Sequence, residues 1–152
     1  MTLTGYIRES TSAASGGTVI SRRGAGGAAP GTATAVFPGP TGTYTIIVWY
    51  FDENDGQSTF AVTVNGMEVD TWRATRDFAD SGASTVTRTS RTVAIAFPLA
   101  AGDLITLEGS EQGGEYVRFD KVEVVPVSSA PVAIAGRVAA YALDETSGST
   151  AV

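Results

Sequence analysis

The stretch TIIVWYFDENDG, residues 45–56, decides the fold class of this chain. Its six large apolar residues are β-branched or aromatic and predict a central strand that is buried on both faces. The apolar run stops at Asp52, and three further polar residues and a glycine follow. These residues predict a loop at the rim of a sheet, which could bind a cation, hold a sugar or remain a solvated turn.

The amino-acid composition excludes several kinds of chemistry. The 152 residues include no Cys and no His, so the sequence predicts neither disulfides, nor zinc thiolates, nor a histidine-based catalytic site. A bound metal would need oxygen ligands, and calcium is the natural candidate. The net charge of −6, with scattered cations, argues against nucleic acid as a partner. No apolar run approaches the ~20 residues that cross a bilayer, and no signal peptide is visible.

The remainder of the chain is typical of short strands separated by turns. Phe60, Val62 and Val64 alternate with small or polar residues, which predicts a half-buried strand. Asn65-Gly66 then predicts a tight hairpin, with residues 67–72 as the returning strand. Further strands are predicted over residues 2–8, 18–20, 32–37, 85–97, 104–108 and 116–125. Because no helical period is present, the pattern predicts an all-β, antiparallel β-sandwich.

Alternation within the predicted strands also indicates which side chains face the core. Leu3 and Ile7 are the expected anchors of the first strand, and Ile95 is an expected inward position of a later one. Trp49, inside the apolar run, is expected in the core. The apolar positions of the last strand change phase near Asp120, which predicts a β-bulge there.

Eight short segments occur in an order that resembles the carbohydrate-binding modules of families 6 and 35: GY (5–6), ES (9–10), ASGG (14–17), GTY (42–44), YFDENDG (50–56), VNG (64–66), VDTW (69–72) and GEYVRFD (114–120). The resemblance covers about residues 1–125. It implies a jelly-roll sandwich that binds polysaccharide without catalysing a reaction, as part of a modular secreted protein.

The same resemblance implies a structural calcium ion near the chain termini. Asp120 matches the ligand in the final strand, and Glu9 is the second acid assigned to the metal. The Glu-Ala-Glu strand that supplies ligands in this family would lie before Met1 and does not occur in the sequence given. Calcium is therefore expected only if the remaining acids can hold it.

The domain organisation expected from the sequence has three parts. Residues 1–126 form the module, and residues 127–135 form a linker rich in Ser, Ala and Pro. Residues 136–152 contain GRVAAYALDETSGST, which is similar to the first strand of laminin-G-like domains. They are interpreted as the truncated start of such a domain or as a strand-forming tail.

Carboxylates and an arginine are the first candidate carbohydrate ligands. Asp52, Glu53, Asn54 and Asp55 could accept hydrogen bonds from sugar hydroxyls or share a calcium ion that coordinates the sugar. They could equally form a solvated turn. Two further candidates are Glu115 and Arg118, which precede and enter the last strand. The resemblance implies ligand contact there, but the two side chains could simply pair with each other.

Aromatic and arginine side chains near turns complete the set of candidates. Trp72 ends a strand and could stack against the apolar face of a sugar or could cap the core. Phe78 is a weaker candidate of the same kind. Arg22 and its neighbour Arg23 lie on a turn, where a guanidinium group could bind a uronic acid carboxylate or could have a plain surface role.

Three classes of function follow from these features. Non-catalytic binding of a polysaccharide is the favoured one. The alternative is an assembly role, in which the apolar C-terminal tail pairs with an exposed sheet edge of a neighbouring copy. Catalysis by a carboxylate pair is not expected, because nothing in the sequence marks either Asp52 or Glu115 as a shielded acid.

Overall fold

The computed structural model describes residues 1–23 and 29–127. These residues form ten strands and confirm the predicted all-β, antiparallel sandwich. The strands are β1 (Thr2–Thr4), β2 (Ile7–Ser10), β3 (Thr18–Ser21), β4 (Gly31–Val36), β5 (Gly42–Phe51), β6 (Thr59–Val64), β7 (Met67–Arg73), β8 (Arg88–Leu99), β9 (Leu104–Ser110) and β10 (Arg118–Pro126). Among the described residues there is no helix long and apolar enough to cross a lipid bilayer. The predicted linker, residues 127–135, lies outside the described ranges except for its first residue, and the predicted tail, residues 136–152, lies wholly outside them.

The strands divide into two sheets of five. Sheet I has the order β1-β4-β9-β6-β7, and sheet II has the order β2-β3-β10-β5-β8. The core lies between them and is centred on an aromatic group, Tyr50, Phe60, Trp72 and Phe119. The ring of Phe60 stacks on Trp72 with an interplanar angle of 11° and meets Phe119 edge to face at 88°. This layered core fixes the rim of the sandwich, where the functional loops begin.

Two predictions from local sequence are confirmed. Asn65 and Gly66 connect β6 to β7 with φ angles of 52° and 79°. A type I′ turn requires positive φ at both central residues, which Asn and Gly tolerate best. In the pairing of β10 with β5 the register shifts between Phe119 and Lys121, so the bulge lies at Asp120.

The first predicted strand is two strands in different sheets. Gly5 has a φ of 66°, and this left-handed residue separates β1 in sheet I from β2 in sheet II. The side chain that enters the core is therefore Tyr6, while Ile7 is 45% exposed. The prediction of Ile7 as an anchor was wrong because one turn residue reverses the phase of the alternation.

Two other inward assignments were also wrong. Ile95 is 77% exposed, because the β5–β8 register shifts twice near Ile46 and Ala96 adopts a φ of 54°. Strand β5 alternates and is not buried on both faces. Trp49 is half-buried on the outer face of sheet II, with the Arg88 guanidinium carbon 4.6 Å and the Lys121 ammonium nitrogen 5.2 Å from its ring centroid.

Candidate functional site

The acidic loop after β5 begins with two buried carboxylates. The Asp52 carboxylate accepts backbone N–H groups from Arg76, at 3.1 and 3.3 Å, and from Asp77, at 3.2 Å. Burial raises the pKa of Asp52, while these hydrogen bonds act in the opposite direction. Asp52 therefore positions the loop that follows β7 and is not an exposed ligand residue of the kind predicted.

Glu53 is fully buried and begins a chain of ionic contacts that reaches the surface. The Arg118 Nη1 atom donates to Glu53, and the same guanidinium group donates to Glu9 from Nε at 2.8 Å and from Nη2 at 3.2 Å. Glu9 also accepts Arg23 Nη1 at 3.1 Å. The alternating order Glu53, Arg118, Glu9, Arg23 balances four charges; we call it the ion chain.

Glu115 is also buried, which contradicts its predicted role as a surface contact. Its two carboxylate oxygens accept the backbone N–H groups of Glu53 and Ser58, each at 3.0 Å. The Ser58 hydroxyl in turn donates to the Glu115 backbone oxygen at 2.6 Å. Glu115 therefore joins the acidic loop to the segment before β10. Burial raises the pKa of this carboxyl to about 7, against the effect of those N–H groups.

This raised pKa predicts a pH dependence of stability. Between the ordinary value, 4.5, and about 7, the folded protein holds a proton on Glu115 that the unfolded chain has released. The contribution of Glu115 to the free energy of unfolding is therefore complete below pH 4.5 and decreases as the pH rises through 7. We expect Glu115→Gln, which mimics the protonated form, to lose less stability than the parent between pH 4.5 and 7.5 in urea unfolding. Equal losses in both proteins would contradict this assignment.

The second half of the acidic loop is solvated. Asn54 and Asp55 are exposed, and the hydrogen bonds that hold them are made by their backbone atoms. The Asn54 N–H donates to Asp80 O at 3.1 Å, and Asp55 O accepts the Gly114 N–H at 2.9 Å. The loop thus begins with two buried structural carboxylates, which the sequence did not predict, and continues as the solvated turn that was one of its alternatives.

Trp72 and Arg22 are buried, unlike the predicted ligand contacts. Trp72 is 8% exposed, with Phe60 stacked on its ring and the Arg91 guanidinium carbon 5.3 Å from the ring centroid. The indole is thus packed against these side chains and is not an exposed platform for a sugar. Arg22 is 2% exposed and donates Nη1 to the Gly5 backbone oxygen at 3.3 Å, whereas the next residue, Arg23, is exposed.

The outer end of the ion chain forms the wall of a cleft at the rim of the sandwich. This rim cleft has a volume of about 420 Å³ and is lined by residues 9–11, Arg23, residues 81–83, Tyr116 and Arg118. Thr11 Oγ1 donates to Ala83 O at 3.2 Å and so connects the two walls. The half-buried Tyr116 ring lies 5.1 Å from the Arg118 guanidinium carbon. The cleft therefore combines an aromatic ring, hydroxyls, a carboxylate and an exposed guanidinium group.

Of the candidate residues proposed from the sequence, the structure places Glu9, Arg23 and Arg118 in this cleft. Arg23 and Tyr116 are its most accessible charged and aromatic members, and Tyr116 was not among the candidates from the sequence. Tyr116 could have been found from alternation, since it precedes the buried Val117. Residues 81–83 could not have been identified as cleft residues from the sequence nearby, because their position depends on how an irregular loop folds.

The acids assigned to calcium are already neutralised by arginines. Asp120 accepts the Ser15 N–H at 2.9 Å and forms an ion pair with Arg88 at 2.7 Å, while Glu9 is bound by Arg118 and Arg23. Within residues 1–23 and 29–127 no group of three or more His, Cys, Asp or Glu is placed to hold a metal ion. The acids in the described ranges do not fit a calcium site, and calcium stays a prediction of the resemblance.

Comparison with known proteins identifies the fold. No protein-family model matches the chain. It is similar to a family 35 carbohydrate-binding module from Clostridium thermocellum, at 20% identity and a TM-score of 0.58, covering 83% of this chain and 92% of that one. It is also similar to a CBM35 from Paenibacillus barcinonensis, at 18% identity and a TM-score of 0.54, with the same two coverages. The chain thus has the jelly-roll β-sandwich fold of these modules.

One curated relative is an enzyme of which this chain matches only a small part. The chain is 28% identical over 100 residues to an alpha-glucuronidase of Hypocrea jecorina, a match of 63% of this chain and 12% of the relative. The chain therefore corresponds to about an eighth of that protein's length.

Proposed function

We propose that this chain is a non-catalytic module that binds a polysaccharide in the rim cleft. The observation that carries the proposal is the meeting of Tyr116, Arg23 and Glu9 in one polar cleft on the rigid rim of the sandwich. The fold shared with family 35 modules supports this function. The match to a short part of an alpha-glucuronidase supports a place in a larger, secreted carbohydrate-active protein.

The chemistry of the rim cleft suits a sugar. An aromatic ring packs against the apolar C–H face of a pyranose, and the exposed fork of Arg23 can donate two hydrogen bonds to vicinal oxygens or to a carboxylate. The ion chain holds Glu9 in place. Its carboxylate can therefore accept hydrogen bonds from sugar hydroxyls with little loss of side-chain entropy. Because the cleft is open and hydroxyls must be desolvated, we expect modest affinity for a single site.

The single carboxylate that the described part of the chain contributes to the rim cleft supports binding and not hydrolysis. Glycoside hydrolysis by paired acids needs two carboxyl groups roughly 5–9.5 Å apart across the scissile bond. Glu9 is the one carboxylate among the described residues lining the rim cleft, and two arginines already hold it. Those arginines, with Ser21, lower the pKa of Glu9 despite its partial burial, so it is a poor proton donor near neutral pH.

A glycan array tests the proposal, with calcium in one arm and EDTA in the other. We expect binding to one class of polysaccharide, and loss of about tenfold or more in affinity in Tyr116→Ala and in Arg23→Gln, as for removal of a stacking ring or a charge-assisted hydrogen bond. Asn54→Ala is the matched control, because Asn54 is exposed and lies outside the cleft. Retained binding in EDTA would show that calcium is not needed. Loss in Asn54→Ala with none in Tyr116→Ala would place the site in the acidic loop instead.

One observation favours the assembly alternative as a second candidate. Strand β3 pairs with β10 only at Arg118 and Phe119, so the outer edge of β10 beyond the bulge has no partner among the described strands. An apolar cleft of about 290 Å³ opens beside this edge, lined by Phe37, Val122 and Val124 among others. The molar mass of the protein in solution should therefore be measured by light scattering, at several concentrations, before the glycan array is probed. A mass that grows with concentration would support self-association through this edge, and a constant monomer mass would oppose it.

A further inference from the structure

A second polar cleft lies between β7 and β8, the edge strands of the two sheets. It has a volume of about 350 Å³, and three arginines line it: Arg73, Arg76 and Arg91. We call it the arginine cleft. The remainder of the wall consists mainly of groups that can donate or accept hydrogen bonds: Tyr50, Asp52, Trp72, Thr75, Ser90 and Thr92.

The arginines of this cleft differ in how far their charge is compensated. Arg91 makes a two-pronged contact with Asp70, from Nε at 2.6 Å and from Nη2 at 3.1 Å. Arg76 donates Nη1 to the Thr89 hydroxyl at 2.9 Å. Neither Arg73 nor Arg76 forms an ion pair with any carboxylate in the part of the chain that the structure describes. Two guanidinium groups thus face the cleft with uncompensated charge.

The one acid among the described residues of the cleft wall forms no ion pair with them. The oxygens of Asp52 are directed to the backbone N–H groups of Arg76 and Asp77, and the side chain is buried. The cleft thus contains three of the ten cationic residues of a chain whose net charge is −6. A cleft in which positive groups outnumber negative ones three to one attracts ligands of negative charge.

We propose that the arginine cleft binds an anionic group, a carboxylate or a sulfate ester, on an acidic polysaccharide. The planar fork of arginine matches both groups and can donate two parallel hydrogen bonds to either. Ser90 and Thr92 also line the cleft. This site is separate from the rim cleft, since the two clefts share no lining residue.

Dextran, carboxymethyl dextran and dextran sulfate test this proposal, since they share one backbone and differ in the charged group. We expect the full chain to bind one or both charged polymers more tightly than dextran, with an affinity that decreases as salt is added. Preference between the two charged polymers identifies carboxylate or sulfate as the favoured group. No preference for either charged polymer over dextran would overturn the proposal.

Single-charge variants distinguish the cleft from general electrostatic attraction. We expect Arg73→Gln to weaken binding of the charged polymer about tenfold. Arg8→Gln removes one exposed arginine from β2, far along the chain from the cleft, and should change the affinity by less than about twofold. Equal effects of the two substitutions would contradict a defined site. Tyr116→Ala should leave this binding unchanged, so failure of the rim cleft and failure of the arginine cleft give different results.

Discussion

Replacing Arg118 by methionine is expected to lower the free energy of unfolding by about 3–5 kcal/mol, the usual cost of removing one partner of a buried ion pair. Arg118 is 3% exposed and contacts both Glu53, which is fully buried, and Glu9. Methionine preserves most of the side-chain volume, so the loss reports the uncompensated carboxylates and not a cavity. Urea unfolding at pH 7, followed by tryptophan fluorescence, measures the change.

A double substitution separates the charge effect from other consequences of losing Arg118. In Glu53→Gln/Arg118→Met the buried charge is absent, and we expect part of the stability to return relative to Arg118→Met alone. Arg8→Met serves as the control for loss of a surface arginine, with an expected change of less than about 1 kcal/mol. If Arg118→Met behaves like Arg8→Met, the ion chain does not stabilise the rim.

Replacing Gly56 by alanine is the second change for which we expect a large effect, a loss of about 3 kcal/mol in the free energy of unfolding. An added Cβ at Gly56 would lie 1.9 Å from the Gln112 backbone oxygen and 2.8 Å from the Glu115 Cβ. Gly56 also forms a backbone bridge with Gly113. The clash cannot be relieved by a side-chain rotation, because the nearest atom belongs to the backbone, so the two loops must separate.

Gly16 offers a matched control for this substitution. No atom lies within 4 Å of a Cβ built there, and its φ is not in the left-handed region. We expect Gly16→Ala to be neutral or slightly stabilising, since alanine reduces the entropy of the unfolded chain. A similar loss in both variants would indicate a general effect of alanine and would refute the close contact at Gly56. Thermal melts followed by circular dichroism suffice for this comparison.

The abrupt end of the β5 strand shows how far the sequence could lead. The apolar run at residues 46–51 and the change to polar residues at Asp52 predicted a strand that reaches the rim, and the structure agrees. The direction of each carboxylate could not be predicted. Asp52 and Glu53 face inward because groups distant in the sequence donate hydrogen bonds to them. These donors are the backbone N–H of residue 76 and the guanidinium group of Arg118.

The candidate site depended even more on tertiary structure. The rim cleft joins residues 9–11, Arg23, residues 81–83 and Tyr116, which come from four separate parts of the chain. The sequence indicated Arg22 and its neighbour together, but only the folded strand decides which is buried. Trp72 has the composition of a binding platform, yet its ring packs on Phe60, which belongs to the facing strand of a hairpin.

The sequence by itself determined the class of fold, the hairpin at Asn65-Gly66 and the bulge at Asp120, because alternation and turn chemistry act over a few residues. Only the tertiary structure decided which charged groups are scaffold and which face a ligand. Burial of a carboxylate is set by whether an arginine or a pair of backbone N–H groups meets it, and those partners lie 24 to 109 residues away along the chain.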